Sequence, residues 1–470
     1  MNYASTLCLL AAVSAGCSAA EAMPAGQVLV WVTTDAPVPE AVPRSDSTPP
    51  LFDRLLVDFY PPLTGTSCVT DAGPCELPQS RQLAIDEKQI ADGLSFGVAL
   101  PPNVEDYLVR ARLYSSVLNN GKLPQPRNVI DSIITLPAVP AEGQTISIAI
   151  VLRVDNVGIP AYLDQAQAPT LGGPPPNLVG TWPGAARVPC SGQPHTGEVC
   201  VPGGAFWMGL PDMLENPLVP DNPSARLVQL SPFYMDATEV TVQQLVDSDL
   251  ALPDDPIPWN PNPFSRSYYS TWAPDDAEGW PYAAKARDMP VSGATQELAR
   301  AYCQTLGGDL PSEAQFEYVS GGLANRMFIW GNDDPTCADA MWGRAGVGIL
   351  TAYWGDCLTP DDATSGPRPP RSGKRDVLTL EGGSIYDIAG NLLEWTRDVW
   401  SRQDETCWAD VLMRDPVCPT PSKSGAIYSV RGGGWPLAAE AMRPPARLGL
   451  DPPSEHFFSP AIGFRCVRPG

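Results

Sequence analysis

The sequence predicts a loop-rich chain that begins with a β-sandwich and continues into a second domain of different composition. Among its 470 residues are 54 Pro and 41 Gly, which favour turns and strands over long helices. Several N-terminal segments alternate polar and apolar residues with the period of a strand. Beyond residue 199, Trp and Tyr become frequent and a segment with helical spacing appears. A boundary between two folded regions therefore lies before that position.

Four N-terminal segments have the features of strands, at residues 27–34, 51–60, 107–114 and 143–154. The first is rich in Val and Thr, and the others alternate between Pro and Gly turns, so we expect half-buried antiparallel strands. These strands predict a β-sandwich over residues 18–160. It shows no convergent polar cluster, which favours a spacer or adhesion-like role. Residues 161–198 are rich in Pro and Gly and are expected to form a linker.

The second domain, residues 199–470, contains the clearest helical signals. Residues 292–306 are predicted to form a helix that ends at Gly307. A second helix is expected to begin at Ser312, because Gln315 stands three residues later and completes a capping box. The side of the first helix expected to be buried consists of Ala294, Leu298, Ala301, Tyr302 and Leu306.

Residues 1–17 have a short apolar core that ends in small residues before Cys17. The run is too short to span a bilayer, and it resembles a signal peptide with a bacterial lipobox. We therefore expect lipidation of Cys17 and an extracytoplasmic place in the bacterial cell envelope, at the outer membrane. Simple secretion is the alternative, since no Lys or Arg precedes the apolar core.

The acidic composition excludes one class of partner. The formal net charge is -23, so the phosphate backbone of a nucleic acid would repel the chain. Beyond residues 1–17, no other window is apolar enough to cross a membrane, so contact with a membrane is expected only through the lipid anchor.

The cysteines indicate disulfides. Without Cys8 and Cys17, the rest of the 12 cysteines form an even set, as expected for an exported chain. Zinc is the competing interpretation, but there is no CxxC motif and there are only 2 His. Pairs that lie close in sequence are Cys68 with Cys75, Cys190 with Cys200, and Cys407 with Cys418.

Three strings near the C-terminus carry a family resemblance. They are SIYDIAGNLLEWTRDVW at residues 384–400, SVRGGGW at 429–435 and AIGFRCVRPG at 461–470. In this order they resemble the signature of the formylglycine-generating enzyme, or sulfatase-modifying factor, family. The resemblance implies an α+β, loop-rich domain related to C-type lectins. It also implies a disulfide between Cys303 and Cys466, which leaves Cys337 to pair with Cys357.

The same resemblance implies a calcium site. It carries over to Asp387, Gly390, Leu392 and Glu394, where two carboxylates flank a turn whose carbonyl groups could complete an oxygen cage. The alternative is structural, because Asn391 and Glu394 could instead satisfy buried polar groups around Trp395.

The oxidase chemistry of the family is not expected here. Its enzymes oxidise a substrate cysteine with O₂ and a copper ion held by two thiolates, and soft Cu(I) prefers such ligands. Residues 435–465 contain no cysteine, and Met442 is the only sulfur-containing residue there. An iron site of three histidines is likewise excluded by the 2 His of the chain. No catalytic residue and no copper are therefore predicted.

Residues 435–465 could instead form a binding groove. The side chains proposed to line it are Trp435, Met442, Phe457 and Phe458. We therefore expect a non-catalytic lipoprotein that recognises a protein or a glycan at the cell envelope. The alternative is an enzyme of the same family with a different chemistry, acting on an extracytoplasmic peptide or small molecule.

Overall fold

The computed structural model describes residues 27–41, 49–62, 79–99, 106–118, 126–138, 144–209, 225–248, 250, 270–271, 286–344, 357, 366–402, 405–419, 426–450 and 459–470. The chain divides into two compact units, residues 1–185 and residues 186–470. Both are built mostly of strands, with few and short helices. No helix in the described part combines the length and apolarity needed to cross a bilayer.

Unit 1 contains two four-stranded sheets. Their order is β4-β1-β7-β8 in one sheet and β3-β2-β5-β6 in the other. In its described residues the elements are β1 (Gln27–Thr34), β2 (Arg54–Tyr60), β3 (Gln79–Ala84), α1 (Glu87–Ala91), β4 (Ser95–Ala99), β5 (Leu108–Tyr114), β6 (Val129–Thr135), β7 (Thr145–Leu152) and β8 (Thr170–Leu171).

The pairing in unit 1 corrects one expectation from the sequence. Strand β1 lies parallel to β7, with Val30 opposite Ile148, whereas only antiparallel strands were expected. An alternating pattern specifies which face of a strand is buried and contains no information on the direction of its partner. The buried face itself follows the pattern, since Val28, Val30 and Val32 are almost fully buried. The two sheets meet where the Phe59 and Phe96 rings stand edge to face, with centroids 5.6 Å apart.

Unit 2 contains four small sheets, ordered β10-β11-β16, β20-β12-β9, β13-β14 and β18-β17-β15-β19. In its described residues the elements are β9 (Glu198–Val201), β10 (Gly204–Met208), β11 (Arg226–Leu230), β12 (Phe233–Asp236), α2 (Val242–Val246), α3 (Gln296–Thr305), α4 (Glu313–Ser320), β13 (Val377–Leu380), β14 (Gly383–Tyr386), β15 (Leu393–Val399), β16 (Leu412–Arg414), β17 (Tyr428–Arg431), β18 (Arg447–Leu450), β19 (Ile462–Gly463) and β20 (Val467–Pro469).

Helix α3 begins later than its apolar spacing predicts. The Thr295 hydroxyl accepts the Leu298 amide at 3.2 Å and caps the first turn, so the residues before it stay outside the helix. Leu306 closes the helix before the left-handed Gly307 and is 46% exposed, so it is not a core residue as expected. The residues of α3 that are buried are Gln296, Ala299, Tyr302 and Cys303.

Helix α4 confirms its predicted start. The Ser312 hydroxyl accepts the Gln315 amide at 3.1 Å, and the Gln315 side chain accepts the Ser312 amide at 2.9 Å. This reciprocal capping box satisfies two amides that the helix cannot pair internally. The helix is buried almost throughout and lies in the main core of unit 2, against β10 and β17.

Candidate functional site

The turn at residues 387–392, which joins β14 to β15, is held by a buried carboxylate. Asp376 accepts the backbone amides of Ile388, Ala389 and Gly390 at 2.8 to 3.2 Å. Asp387 stands in the left-handed region at φ 54°. A side chain at Gly390 would come within 2.8 Å of the Met341 carbonyl oxygen, so only glycine fits. The turn is therefore fixed by the buried Asp376 carboxylate and by close packing against the Met341 backbone.

Glu394 follows this turn and forms a fully buried ion pair with Arg465. The Arg465 Nε donates to both Glu394 oxygens at 3.0 and 2.8 Å, and its Nη2 donates to Oε1 at 2.7 Å. Nη2 also donates to the carbonyl oxygens of Tyr386 and Asp387 at 3.0 and 3.1 Å. Both residues are 0% exposed. A single guanidinium therefore links the last strands of the domain to the turn.

More carboxylates than cations surround this pair. Burial, followed by repulsion from Asp387, raises the pKa of Asp376 to about 7. Burial likewise raises the pKa of Asp387 to about 6, although the Arg371 amide donates to its Oδ2 and this hydrogen bond lowers the pKa. Burial and repulsion from Asp387 raise the pKa of Glu239 well above its usual range. Because isolated buried charges are costly, these groups hold protons more tightly than exposed acids do.

The calcium site expected at Asp387, Gly390, Leu392 and Glu394 stays a prediction, and its two carboxylates are engaged by hydrogen-bond donors in this arrangement. Arg465 donates to both oxygens of Glu394, and a carboxylate with about four lone-pair sites keeps capacity for a cation beside this pair. The Leu392 amide donates to Glu239 and the Gly390 amide to Asp376, and these bonds do not involve the carbonyl oxygens that were expected to bind the ion. In the described residues no three His, Cys, Asp or Glu side chains converge as metal ligands. The geometry agrees with the structural alternative, in which the motif satisfies buried polar groups.

The stretch that begins at Trp435 is filled by apolar side chains. Trp435 and Met442 are each 1% exposed and Leu437 is 3% exposed. The Trp435 Nε1 donates to the Pro460 carbonyl oxygen at 3.2 Å, and Met442 belongs to the main core. A side chain at Gly433 would meet the Ala389 carbonyl oxygen at 2.3 Å and the Met442 side chain, so the packing is tight.

This burial corrects the expected binding groove. Trp435 and Met442 are core residues and do not line an open surface, because their apolar area is already covered by the domain. Phe457 and Phe458 lie outside the described residues. Sequence alone could not separate the two roles, since an aromatic side chain suits a core and a groove equally.

Every cysteine of unit 2 is in a disulfide. The pairs are Cys190–Cys200, Cys303–Cys466, Cys337–Cys357 and Cys407–Cys418, with Cα atoms 5.3 to 5.9 Å apart. These coincide with the pairs expected from the sequence and the resemblance. Residues 186–470 therefore contain no free thiol. The expected pair of Cys68 and Cys75, and the expected lipidation site Cys17, lie outside the described residues.

A second buried ionic cluster was not anticipated from the sequence. Arg431 contacts Glu317 through Nη2 at 2.5 Å and Glu313 through Nε at 3.3 Å, and Arg447 contacts Glu313 at 2.6 Å. Asp398 accepts the amides of Glu313 and Cys418. The partners lie far apart along the chain, so the sequence does not indicate which charges pair. The only signal was that these arginines stand in a chain that is otherwise poor in cations.

Comparison with known proteins places unit 2 among recognised relatives. Residues 185–469 match the model of the sulfatase-modifying factor enzyme 1-like domain. The chain is similar to the formylglycine-generating enzyme of Bos taurus, at 28% identity over 58% of this chain and 75% of that protein. It is similar to the formylglycine-generating enzyme of Streptomyces coelicolor at 28% identity, over 61% and 92%. It is also similar to the inactive C-alpha-formylglycine-generating enzyme 2 of Bos taurus at 25% identity, over 38% and 50%.

Proposed function

Because the chain belongs to the sulfatase-modifying factor enzyme 1-like family, we propose that it is a member without oxidase activity that recognises a protein or a glycan. The single observation that carries this proposal is the packing of residues 435–442. Where the family resemblance places a copper-binding pair of thiolates, this chain has a buried apolar stretch that includes Trp435, Leu437 and Met442.

The remaining cysteines offer no substitute for the thiolate pair. All eight cysteines in residues 186–470 are consumed by the four disulfides. A thioether alone is a weak ligand, and the Met442 side chain is enclosed by the core. The similarity to an inactive relative is consistent with a family in which the fold persists without the chemistry.

In this proposal unit 2 carries the recognition site and unit 1 acts as a spacer. Unit 1 shows the two sheets and the Phe59–Phe96 contact that a β-sandwich would have, which supports its proposed role as a spacer. The lipobox-like residues before Cys17 support attachment of the spacer to the cell envelope through a lipid. Replacing Cys17 with Ser should release the protein into the soluble fraction, and unchanged membrane association would contradict the anchor.

The proposal is tested by counting free thiols in the purified chain. Alkylation under denaturing, non-reducing conditions followed by peptide mass spectrometry should modify no cysteine in residues 186–470. A reduced sample serves as the positive control, in which every cysteine is modified. Two alkylated cysteines in the unreduced domain, together with tightly bound copper, would overturn the proposal.

A further inference from the structure

One segment of this acidic chain is strongly basic. Residues 368–375, here called the basic loop, have the sequence RPPRSGKR and contain Arg368, Arg371, Lys374 and Arg375. The chain as a whole carries a formal net charge of -23. Cations of this cluster that have no acidic partner within the protein are available to an external ligand.

The backbone of the basic loop is anchored to the buried turn described above. The Arg368 amide donates to the Asn391 Oδ1 at 2.8 Å, and the Arg371 amide donates to the Asp387 Oδ2 at 2.5 Å. At its other end, the Arg375 amide donates to the Asp339 carbonyl oxygen at 3.0 Å. These bonds to buried acceptors fix the path of the loop, so its side chains are presented from a rigid base.

Arg371 has an unusual conformation at the centre of the loop. Its φ is 72°, a left-handed value that is disfavoured for a residue with a side chain. The side chain is exposed, and its guanidinium lies over the Tyr386 ring, 4.8 Å from the centroid. Strained residues that a surrounding structure enforces occur preferentially at functional sites.

Arg371 and Lys374 have no acidic partner within the described residues, and both are exposed. Arg375 differs, because it pairs with Asp333 at 2.9 Å and lies over the Trp330 ring. The loop therefore presents two uncompensated cations to solvent, one of them with its plane fixed by stacking on an aromatic ring.

We propose that the basic loop is an interaction surface for an acidic segment of a partner protein. Stacking covers a face of the Arg371 guanidinium and leaves its in-plane N–H groups free, and these match the two oxygens of a carboxylate. Lys374 supplies a second positive charge. Arg375 is already paired with Asp333, so the loop offers only the charges of Arg371 and Lys374, which suit a short acidic segment better than a long, dense sulfated polymer.

The proposal deepens the recognition role stated above and rests on it. The thiol count tests the absence of the oxidase site and the peptide binding tests recognition, so the two can fail independently. The test uses the full chain and a fluorescent oligoglutamate peptide, with an oligoglutamine peptide of equal length as the neutral match. Binding is measured by anisotropy at low and high salt.

Charge removal at the loop should weaken this binding. We expect Arg371→Asn with Lys374→Gln to lower the affinity about tenfold, because charge-assisted contacts are lost while Asn still accepts the left-handed backbone. Arg414→Gln with Arg81→Gln is the matched control, since it also removes two charges and both arginines are exposed and carry no ion pair within the described residues. It should leave the affinity within about twofold.

Equal melting temperatures of the variants would show that folding is unchanged. Three results would each overturn the proposal. The unmodified chain could show no detectable affinity for oligoglutamate, or the loop variant and the control could bind it equally. The third is tighter binding of dextran sulfate than of oligoglutamate.

Discussion

The buried pair of Arg465 and Glu394 allows the sharpest test of what holds unit 2 together. Replacing Arg465 with Met removes its bonds to Glu394 and to the carbonyl oxygens of Tyr386 and Asp387. The Glu394 carboxylate would then be buried without a partner, next to Asp387 and Glu239. Removing one member of a buried pair costs about 3–5 kcal/mol in the free energy of unfolding. For a domain of this size, that corresponds to a fall in melting temperature on the order of 10 °C.

The chain provides a matched control in the same terminal segment. Arg468 pairs with Glu198 at 2.7 Å, but both side chains remain partly exposed. Arg468→Met should therefore cost about 1 kcal/mol or less. Urea unfolding followed by tryptophan fluorescence gives both values. Adding Glu394→Gln to Arg465→Met should recover part of the loss, because the uncompensated charge is removed. If Arg465→Met costs no more than Arg468→Met, the pair does not have the structural role assigned to it.

Three further predictions concern crosslinks, protons and calcium. In the chain-entropy model, replacing Cys303 and Cys466 with Ala should lower the free energy of unfolding by about 5 kcal/mol, because this disulfide closes a loop of 163 residues. Replacing Cys190 and Cys200 should lower it by about 3 kcal/mol, because that loop has 10 residues. Equal losses for the two disulfides would contradict this prediction. Burial, and then repulsion from Glu313, raise the pKa of Asp398 to about 7. The contribution of Asp398 to the free energy of unfolding is fully present below about pH 4 and is lost as the pH rises towards 7, by up to about 4 kcal/mol. Asp398→Asn should flatten this dependence of the unfolding free energy on pH. An unchanged dependence would show that another group titrates. If calcium binds at Asp387, Gly390, Leu392 and Glu394, excess calcium should raise the melting temperature above its value in chelator, by a stabilisation of about 2.7 kcal/mol at a hundred times the dissociation constant. Equal melting temperatures in the two conditions would contradict the site.

Local signals in the sequence predicted local structure well. The alternating Val28, Val30 and Val32 correctly indicated the buried face of β1, and Ser312 with Gln315 correctly indicated the start of α4. In each case the residues that decide the structure lie within a few positions of one another. The disulfide partners close in sequence could be paired for the same reason.

Features that depend on distant partners could not be predicted in this way. The parallel pairing of β1 with β7 depends on how the chain returns, and the alternation of either strand does not encode it. The ion pair of Glu394 could not be predicted from its neighbours, because its partner Arg465 stands 71 residues away. Trp435 and Met442 were expected in a groove but are buried in the core. Large apolar side chains suit both environments, so their residue types alone could not decide between them.

The measurement that tests the account most directly is turnover of a peptide substrate. The full chain is incubated with copper, oxygen, a reductant and a sulfatase-type peptide that carries the Cys-X-Pro-X-Arg sequence, and the peptide mass is followed. A formylglycine-generating enzyme of the same family is assayed in parallel as the positive control. The packing of Trp435, Leu437 and Met442 and the four disulfides of unit 2 predict no conversion of the peptide cysteine. Conversion at a rate similar to that of the control enzyme would contradict the central claim.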